Sequence, residues 1–320
     1  MKVLVTGGAG YIGSVVAHAL VDAGHEVEIV DDLSTGFEEN IPAAATLHKQ
    51  SVHQIGDVLR PGAGFDAVLH FAGKIEVAES VVRPDFFWHT NVAGTTAVLD
   101  AMRAARTPKL IFSSTGSLYR ADPDGAPLTE ESVVDPANPY AATKLSVDLM
   151  LAGEAVAFGL AAASLRYFNA AGAVGSLGER HDPESHLIPI MLQAAAGRRD
   201  EVFLYGTDWP TADGTCIRDY IHVADLASAH LLALEAIEPG RHEVFNLGNG
   251  QGHSNRQVIE SVERVSGRTL PLREVDRRPG DNMISVASSE KARRMLGWTP
   301  QHPDLDDIIG DAWAFHEGQS

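Results

Sequence analysis

Near its start the sequence reads Lys2-Val3-Leu4-Val5-Thr6-Gly7-Gly8-Ala9-Gly10-Tyr11-Ile12-Gly13-Ser14. A short apolar run of this kind is a buried strand, and it breaks directly into glycines spaced both Gly-x-x-Gly-x-x-Gly and Gly-x-Gly-x-x-Gly. The glycines allow a tight turn and a close approach of backbone to a pyrophosphate. A helix starting at that turn offers free N–H groups and the positive end of its dipole. Asp31 follows Gly13 by 18 residues, at the end of a second predicted strand, Glu26–Asp31. A carboxylate there binds both hydroxyls of a ribose and repels a 2′-phosphate, so the fingerprint favours NAD over NADP.

Further strands are predicted at Ala67–Phe71 and Leu110–Ser113, separated by Ala/Leu-rich helical patterns. From Gly13 to Ala23, residues Val16, Ala19, Leu20 and Ala23 share one helical face; from Asn91 to Arg106, Val92, Thr95, Val98, Leu99 and Met102 share another. This alternation predicts an α/β protein: a Rossmann-type doubly wound parallel sheet with a smaller C-terminal substrate lobe. The expected division is residues 1–170 for the NAD-binding domain, with later segments around 215–235 interleaved, and 171–320 mainly for the ligand lobe. His70-Phe71-Ala72-Gly73 falls at the same carboxyl edge of the sheet, where small residues let a loop pass close to a cofactor.

With 320 residues, 44% of them hydrophobic, the chain can bury a large core, which excludes a disordered protein. Its 25 basic and 43 acidic side chains give a net charge of −18, against a nucleic-acid or anionic-membrane binder. No run reaches the roughly 20 apolar residues of a membrane span, and no signal-peptide core is present. The single cysteine, Cys216, excludes an internal disulfide; it has no basic neighbour in the sequence pattern and reads as buried and inert. No Cys/His cluster has the spacing of a structural zinc site, so no metal is expected. These features point to the cytoplasm. A polar end after about Glu317 is expected to fray.

Tyr140-Ala141-Ala142-Thr143-Lys144 follows Pro139 at a predicted helix start, and the four-residue spacing stacks the phenol and the amine on one face. A free tyrosine titrates near pH 10, so a neutral-pH base needs a downward shift of about 3 units, which Lys144 and a nicotinamide cation could supply.

Together, VTGGAGYIGS, HFAG, FSST, NPYAATK, LRYFNAAG, DGTCIRDYIHVADLA, FNLGNG and LGWTP resemble the extended short-chain dehydrogenase/reductase superfamily, and within it the UDP-glucose (UDP-galactose) 4-epimerases. The resemblance spans nearly the whole chain. It implies inversion at carbon 4 of a UDP-sugar through a transient 4-keto sugar, with tightly held NAD taking and returning a hydride. Tyr140 is then the acid/base, Lys144 the residue that tunes it and holds the cofactor ribose, and Thr115 the catalytic hydroxyl, with an N-cap as Thr115's alternative role. Cofactor contacts are implied at Gly7, Gly10, Tyr11, Ile12 and Gly13, at Asp31 and Asp32, at Ser51 and Val52, and at Phe71, Ala72 and Gly73. Asn91, Ser113, Tyr140, Lys144 and Tyr167 complete that set. On the substrate side the resemblance implies Thr115, Tyr140, Asn169, His186 and Leu187, with Arg218 and Arg278 on the diphosphate, Tyr205 beside the uracil, Asp281 near the ribose, and Ser285. A homodimer through the Asn91 and Tyr140 helices is implied as well.

Several positions depart from the family pattern. Ser51 stands where an adenine-binding aspartate is usual, Lys74 and Ile75 exchange the usual order of an apolar residue and a lysine, and Arg120 and Thr90 replace a common glycine and asparagine. Ser285 replaces a bulky aromatic, which leaves room for an N-acetyl group and predicts acceptance of UDP-GlcNAc and UDP-GalNAc alongside UDP-glucose and UDP-galactose or in preference to them; an epimerase specialised for these or for a modified UDP-sugar is the alternative. A nucleotide-sugar 4,6-dehydratase would need Asp-Glu after Thr115, where Gly116-Ser117 stand. A non-catalytic NAD or nucleotide-sugar sensor would typically have lost the tyrosine or the lysine.

Overall fold

A computed structural model describes residues 1–278 and 280–318, so the end expected to fray lies largely outside the described residues. In chain order the first half holds β1 (Lys2–Thr6), α1 (Tyr11–Asp22), β2 (Glu26–Asp31), β3 (Thr46–Lys49), β4 (Ala67–His70), α2 (Val77–Val82), α3 (Pro84–Phe87), α4 (Gly94–Ala105), β5 (Lys109–Thr115), α5 (Pro139–Phe158) and β6 (Ala161–Tyr167). Then come β7 (Asn169–Ala171), β8 (Ala173–Val174), β9 (Leu177–Gly178), α6 (Leu187–Ala195), β10 (Val202–Tyr205), β11 (Ile217–His222), α7 (Val223–Ala236) and β12 (His242–Leu247). The chain finishes with β13 (Gly252–Ser254), α8 (Asn255–Ser266), β14 (Leu272–Val275), β15 (Ile284–Ser285), α9 (Glu290–Leu296) and α10 (Leu305–Gly318).

Seven strands form one parallel sheet in the order β12-β6-β5-β4-β1-β2-β3. Residue alternation divides their side chains between two layers. Val3, Val5, Leu69, Ile111 and Ala163 pack towards α1 and α7; Leu4, Val68, Leu110 and Ala162 pack towards α4 and α5. Both faces are therefore covered, as the near-continuous apolar runs require. The chain leaves β1 towards β2 and β3, then returns to β4 on the other side of β1. That reversal opens a crevice at the carboxyl ends of β1 and β4, the place where such sheets bind ligands.

The structure moves several expected boundaries. β4 stops at His70, because the amides of Phe71 and Ala72 both turn in to donate to the Thr6 carbonyl. β5 runs past Ser113 to Thr115, since its polar end still pairs with Leu165, Arg166 and Tyr167 of β6. α1 starts at Tyr11 and not Gly13. The helix expected from Asn91 begins at Gly94, preceded by a wide π-type turn over Trp88–Ala93. Arg106, expected in the last turn, is a left-handed cap at φ +59°. β12, which no sequence signal had placed, closes the sheet beside β6, while α7 packs on α1.

The remaining elements build the smaller lobe. Its core joins α6, α8 and α10 through residues such as Met191, Leu192, Val258, Val262 and Ile309. β11 runs through it, flanked by β13, β15 and β7.

Candidate active site

A cavity of about 730 Å³ lies over the crevice, between the sheet and the smaller lobe. At one end are Gly7, Gly10, Tyr11, Ile12 and Gly13. Gly7 has φ +72°, and a Cβ on it would stand 2.6 Å from the Ala72 nitrogen; one on Gly13 would stand 2.2 Å from the Gly7 oxygen. A side chain at Gly7 would push apart the loops after β1 and β4, and one at Gly13 would push the first turn of α1 off the loop after β1. No side chain caps α1 at Gly10 and its first turn carries no acid, so its N-terminal amides are offered to the cavity. Asp31 and Asp32 line the same end. Asp31 is oriented by the Ala9 and Leu33 N–H groups, which donate to its two oxygens at 2.9 and 2.8 Å; burial pushes its carboxyl up. Ser51 and Val52 form the wall beyond, where the Ser51 hydroxyl accepts from the His53 N–H at 3.4 Å and caps the short turn Val52–Asp57.

Phe71, Ala72 and Gly73 continue the lining, and Gly73 is small for a reason: a Cβ there would come within 3.0 Å of the Asn91 side-chain oxygen and 3.7 Å of the Lys144 Nζ. Asn91 itself is buried and does not line the cavity. Its side-chain oxygen accepts from the Lys74 N–H (2.7 Å), and its amide donates to the Lys74 carbonyl (3.1 Å) and the Thr143 hydroxyl (2.9 Å). It thereby holds the 73–75 loop, including the unusual Lys74-Ile75 pair, against α5.

α5 presents the tyrosine and the lysine. Pro139 occupies its first turn, and the Asn138 side chain caps it by accepting from the Ala141 N–H at 2.9 Å. Tyr140 faces the cavity, with the Thr115 hydroxyl from the end of β5 in hydrogen-bonding reach of its phenol. Thr115 Oγ1 also accepts from the Ser117 N–H at 3.1 Å, so it caps the turn after β5 and keeps its own proton for the phenol. The N-cap role foreseen for Thr115 is present, and the same hydroxyl also reaches the phenol. Burial pushes the Tyr140 phenol up to about 12, against the neutral-pH base expected from the sequence; the Thr115 hydrogen bond only partly offsets it. Lys144 lies behind the wall, 3% exposed, with Nζ donating to the Ser113 carbonyl at 2.8 Å and 6.0 Å from the Tyr140 ring centre. Burial lowers it to about 8, opposed by Asp148.

Ser113 and Tyr167 also line the cavity. The Tyr167 hydroxyl donates to His230 Nε2 at 2.6 Å, since His230 Nδ1 donates to the Leu226 carbonyl at 2.8 Å. Burial holds His230 down at about 4. Asn169, His186 and Leu187 form the far wall, on the smaller lobe. Tyr205, Arg218, Arg278, Asp281 and Ser285 are not part of this wall. They lie elsewhere in the lobe, none of them fully buried and Arg278 exposed: Arg218 pairs with Ser285 across β11 and β15, and the Arg278 guanidinium sits 3.7 Å over the Tyr205 ring. Tyr220, two residues from Arg218 on β11, does line the cavity, so the two share a strand face. Cys216 is buried, as expected, yet Arg218 does stand beside it; burial outweighs the arginine and raises the thiol. Arg120 is paired at the surface with Asp135 at 2.8 Å.

Residues 3–248 match the NAD dependent epimerase/dehydratase family. The chain belongs to that family. It is 51% identical over 315 residues, 98% of this chain and 95% of the relative, to a protein of Corynebacterium glutamicum named UDP-glucose 4-epimerase. Among solved structures, the UDP-glucose 4-epimerase of Brucella ovis in complex with NAD superposes with a TM-score of 0.93 at 43% identity, covering 98% of each chain. The UDP-glucose 4-epimerase of Stenotrophomonas maltophila, with bound NAD and formylated UDP-arabinopyranose, superposes at 0.94 with 39% identity, over 100% of this chain and 98% of that one. As a member of this epimerase/dehydratase family, the chain shows cavity residues that the motif reading passed over: Glu76, Glu179 and His181 also line the wall. Their spacing in the sequence carries no dinucleotide signature. Only the return of the 179–186 loop against α1 and α6 brings the last two there.

Proposed function

We propose that this protein is a UDP-glucose 4-epimerase, interconverting UDP-glucose and UDP-galactose with NAD as a resident cofactor. The observation that carries the reading is the Tyr140–Thr115 pair facing one continuous cavity whose other end is the glycine cradle. The cradle fits a dinucleotide: Gly7 and Gly13 leave no space for side chains, uncapped α1 amides face the void, and Asp31 is fixed at its rim for ribose hydroxyls. NAD, when bound, supplies the acceptor and donor of the hydride at carbon 4 of the sugar.

In this reading Tyr140 takes the proton of the sugar 4-hydroxyl and later gives it back, and Thr115 donates the hydrogen bond that steadies the phenolate. Lys144 supplies the positive charge behind the ring. Inversion requires the sugar to present both faces to the same groups, so the nucleotide end must be gripped and the sugar end left loose. We assign that grip to Arg218 and Arg278 on the diphosphate, Tyr205 at the uracil and Asp281 at the ribose, with Asn169, His186 and Leu187 at the cavity wall; two guanidinium forks match phosphate oxygens despite the acidic surface. Gly116-Ser117 after Thr115 provide no acid/base pair for work at carbons 5 and 6, which argues against dehydration. The small Ser285 extends the proposal to UDP-GlcNAc and UDP-GalNAc; no turnover of UDP-GalNAc beside good turnover of UDP-galactose removes that extension.

The reading includes a homodimer. Leu149 (66% exposed) and Val156 (87% exposed) lie seven residues apart on one face of α5; Phe158 at its end is exposed too, as are Val81 and Val82 on α2, which packs against α5. Such an apolar face suits a partner copy. Among the described residues no helix is long and apolar enough to cross a membrane, and a cytoplasmic location is proposed from the single buried, unpaired cysteine. The test is Tyr140→Phe: it abolishes a turnover of UDP-galactose that the parent performs without added cofactor. Turnover kept within a few-fold refutes the assignment.

A further inference from the structure

After β9 the chain makes a loop, Glu179-Arg180-His181-Asp182-Pro183-Glu184-Ser185-His186, that ends at the cap of α6. Ligand atoms of Glu179, His181, Glu184 and His186 converge within 4.8 Å of one another, the one such gathering of His, Cys, Asp and Glu among the described residues. His186 Nδ1 is 2.8 Å from Glu179 Oε1 and 3.4 Å from Glu184 Oε1; His181 Nδ1 is 3.4 Å from Glu179 Oε1 and 3.9 Å from Glu184 Oε2. Four donors around a zinc ion at about 2.0–2.1 Å stand roughly 3.3 Å apart, a value that the observed 2.8–3.9 Å spacings bracket.

Glu184 supplies the independent sign of a ligand. Its side chain is 2% exposed. Oε1 is anchored by the backbone, accepting the N–H groups of Ser185 (2.8 Å) and His186 (2.9 Å). That anchorage turns Oε2 inward, where it is buried and has no hydrogen-bond partner. A carboxylate oxygen left unpaired in the interior is costly, and a cation is the partner this geometry leaves room for.

We propose that Glu179, His181, Glu184 and His186 bind one first-row divalent cation, with two imidazole nitrogens and two carboxylate oxygens. The two carboxylates balance its charge, and mixed imidazole–carboxylate donors suit zinc better than calcium or magnesium. The ion acts as a staple and not as a reactant. It ties the end of β9 to the start of α6, whose first residues line the cavity, and it leaves His186 Nε2 free to face that cavity. The inference stands apart from the epimerase reading.

The test uses tag-free protein stripped with a chelator, then titrated with zinc alone in competition with a chromophoric chelator. The parent is expected to take up one equivalent and to melt at a higher temperature with zinc. Glu184→Gln keeps an oxygen for the two backbone N–H groups but loses the charge, and is expected to bind at least tenfold more weakly, as is His181→Gln. His48→Gln, which touches only the surface pair with Glu28, is expected to bind like the parent. Should a loop variant not fold, cobalt added to the parent reports directly, through the visible absorption of a low-coordinate nitrogen/oxygen site. Substoichiometric uptake by the parent, equal affinity in Glu184→Gln, or a fully hydrated cobalt spectrum overturns the proposal.

Discussion

Lys144→Met removes the charge behind Tyr140 and keeps the length of the side chain. The Lys144 Nζ stands 6.0 Å from the Tyr140 ring centre. At an effective dielectric of about 20 a unit charge at that distance favours the phenolate by ~2.8 kcal/mol, or about 2 pKa units. The variant should lose about 100-fold in turnover at pH 7. Burial places Lys144 at about 8, well below an ordinary lysine, so it carries its charge below that pH and loses it as pH rises through it. A group titrating there is about nine-tenths protonated at pH 7 and about one-tenth at pH 9, so parental turnover should fall roughly ninefold between them. Held near 12 by burial alone, the phenol would add a rising limb across that window; the fall is therefore expected of the holoenzyme, in which the nicotinamide cation of bound NAD would lower the phenol below pH 7. The assay is conversion of UDP-galactose from pH 6 to 9.5, expressed per mole of bound NAD so that cofactor loss is not mistaken for slower chemistry. Turnover of Lys144→Met within threefold of the parent at pH 7, or an alkaline limb unchanged in that variant, refutes the reasoning.

Gly13→Ala places a methyl 2.2 Å from the Gly7 oxygen, and the purified variant should carry little or no NAD by chromatography of the released nucleotide, with the sheet intact by circular dichroism. Beneath the site, Arg166 and Asp148 pair at 2.7 Å with side chains 7% and 5% exposed; Asp148→Ala should lower unfolding free energy by about 3–5 kcal/mol in urea titration, and Arg166→Met with Asp148→Leu should recover much of the loss. Val156→Glu puts a charge on the most exposed apolar residue of α5 and should convert a dimer to a monomer in sedimentation, with little change in monomer melting.

The sheet and the cofactor end of the cavity were legible because their determinants are local. A strand that must enter a glycine turn carries its signal within a dozen residues, and a helix started by Asn138-Pro139 fixes where Tyr140 and Lys144 point. The Thr115–Tyr140 contact was legible only through resemblance, since β5 and α5 meet through sheet order and not sequence proximity. Long-range placement accounts for what escaped. β12 returns to the sheet from the second half of the chain, and Asn91 binds Lys74 because a wide turn replaces the first turn of an ordinary helix. The Tyr140 phenol shows another limit: spacing reveals that a lysine is near, but not that burial drives the phenol upwards when the lysine is alone. The Glu-x-His-x-x-Glu-x-His run is plain in the sequence, but its mixed carboxylates and imidazoles match no Cys/His zinc spacing, and only the folded loop brings the four side chains together.

The central claim is that carbon 4 is inverted through a hydride kept on a resident cofactor, with Tyr140 moving only the hydroxyl proton. Incubation of the purified protein with UDP-galactose in deuterium oxide, without added nicotinamide, followed by proton NMR, tests it most directly. The account predicts UDP-glucose at equilibrium with ordinary hydrogen retained at carbon 4, because hydride on a nicotinamide does not exchange with solvent. Deuterium at carbon 4, a 4-keto-6-deoxy product, or no conversion would contradict it.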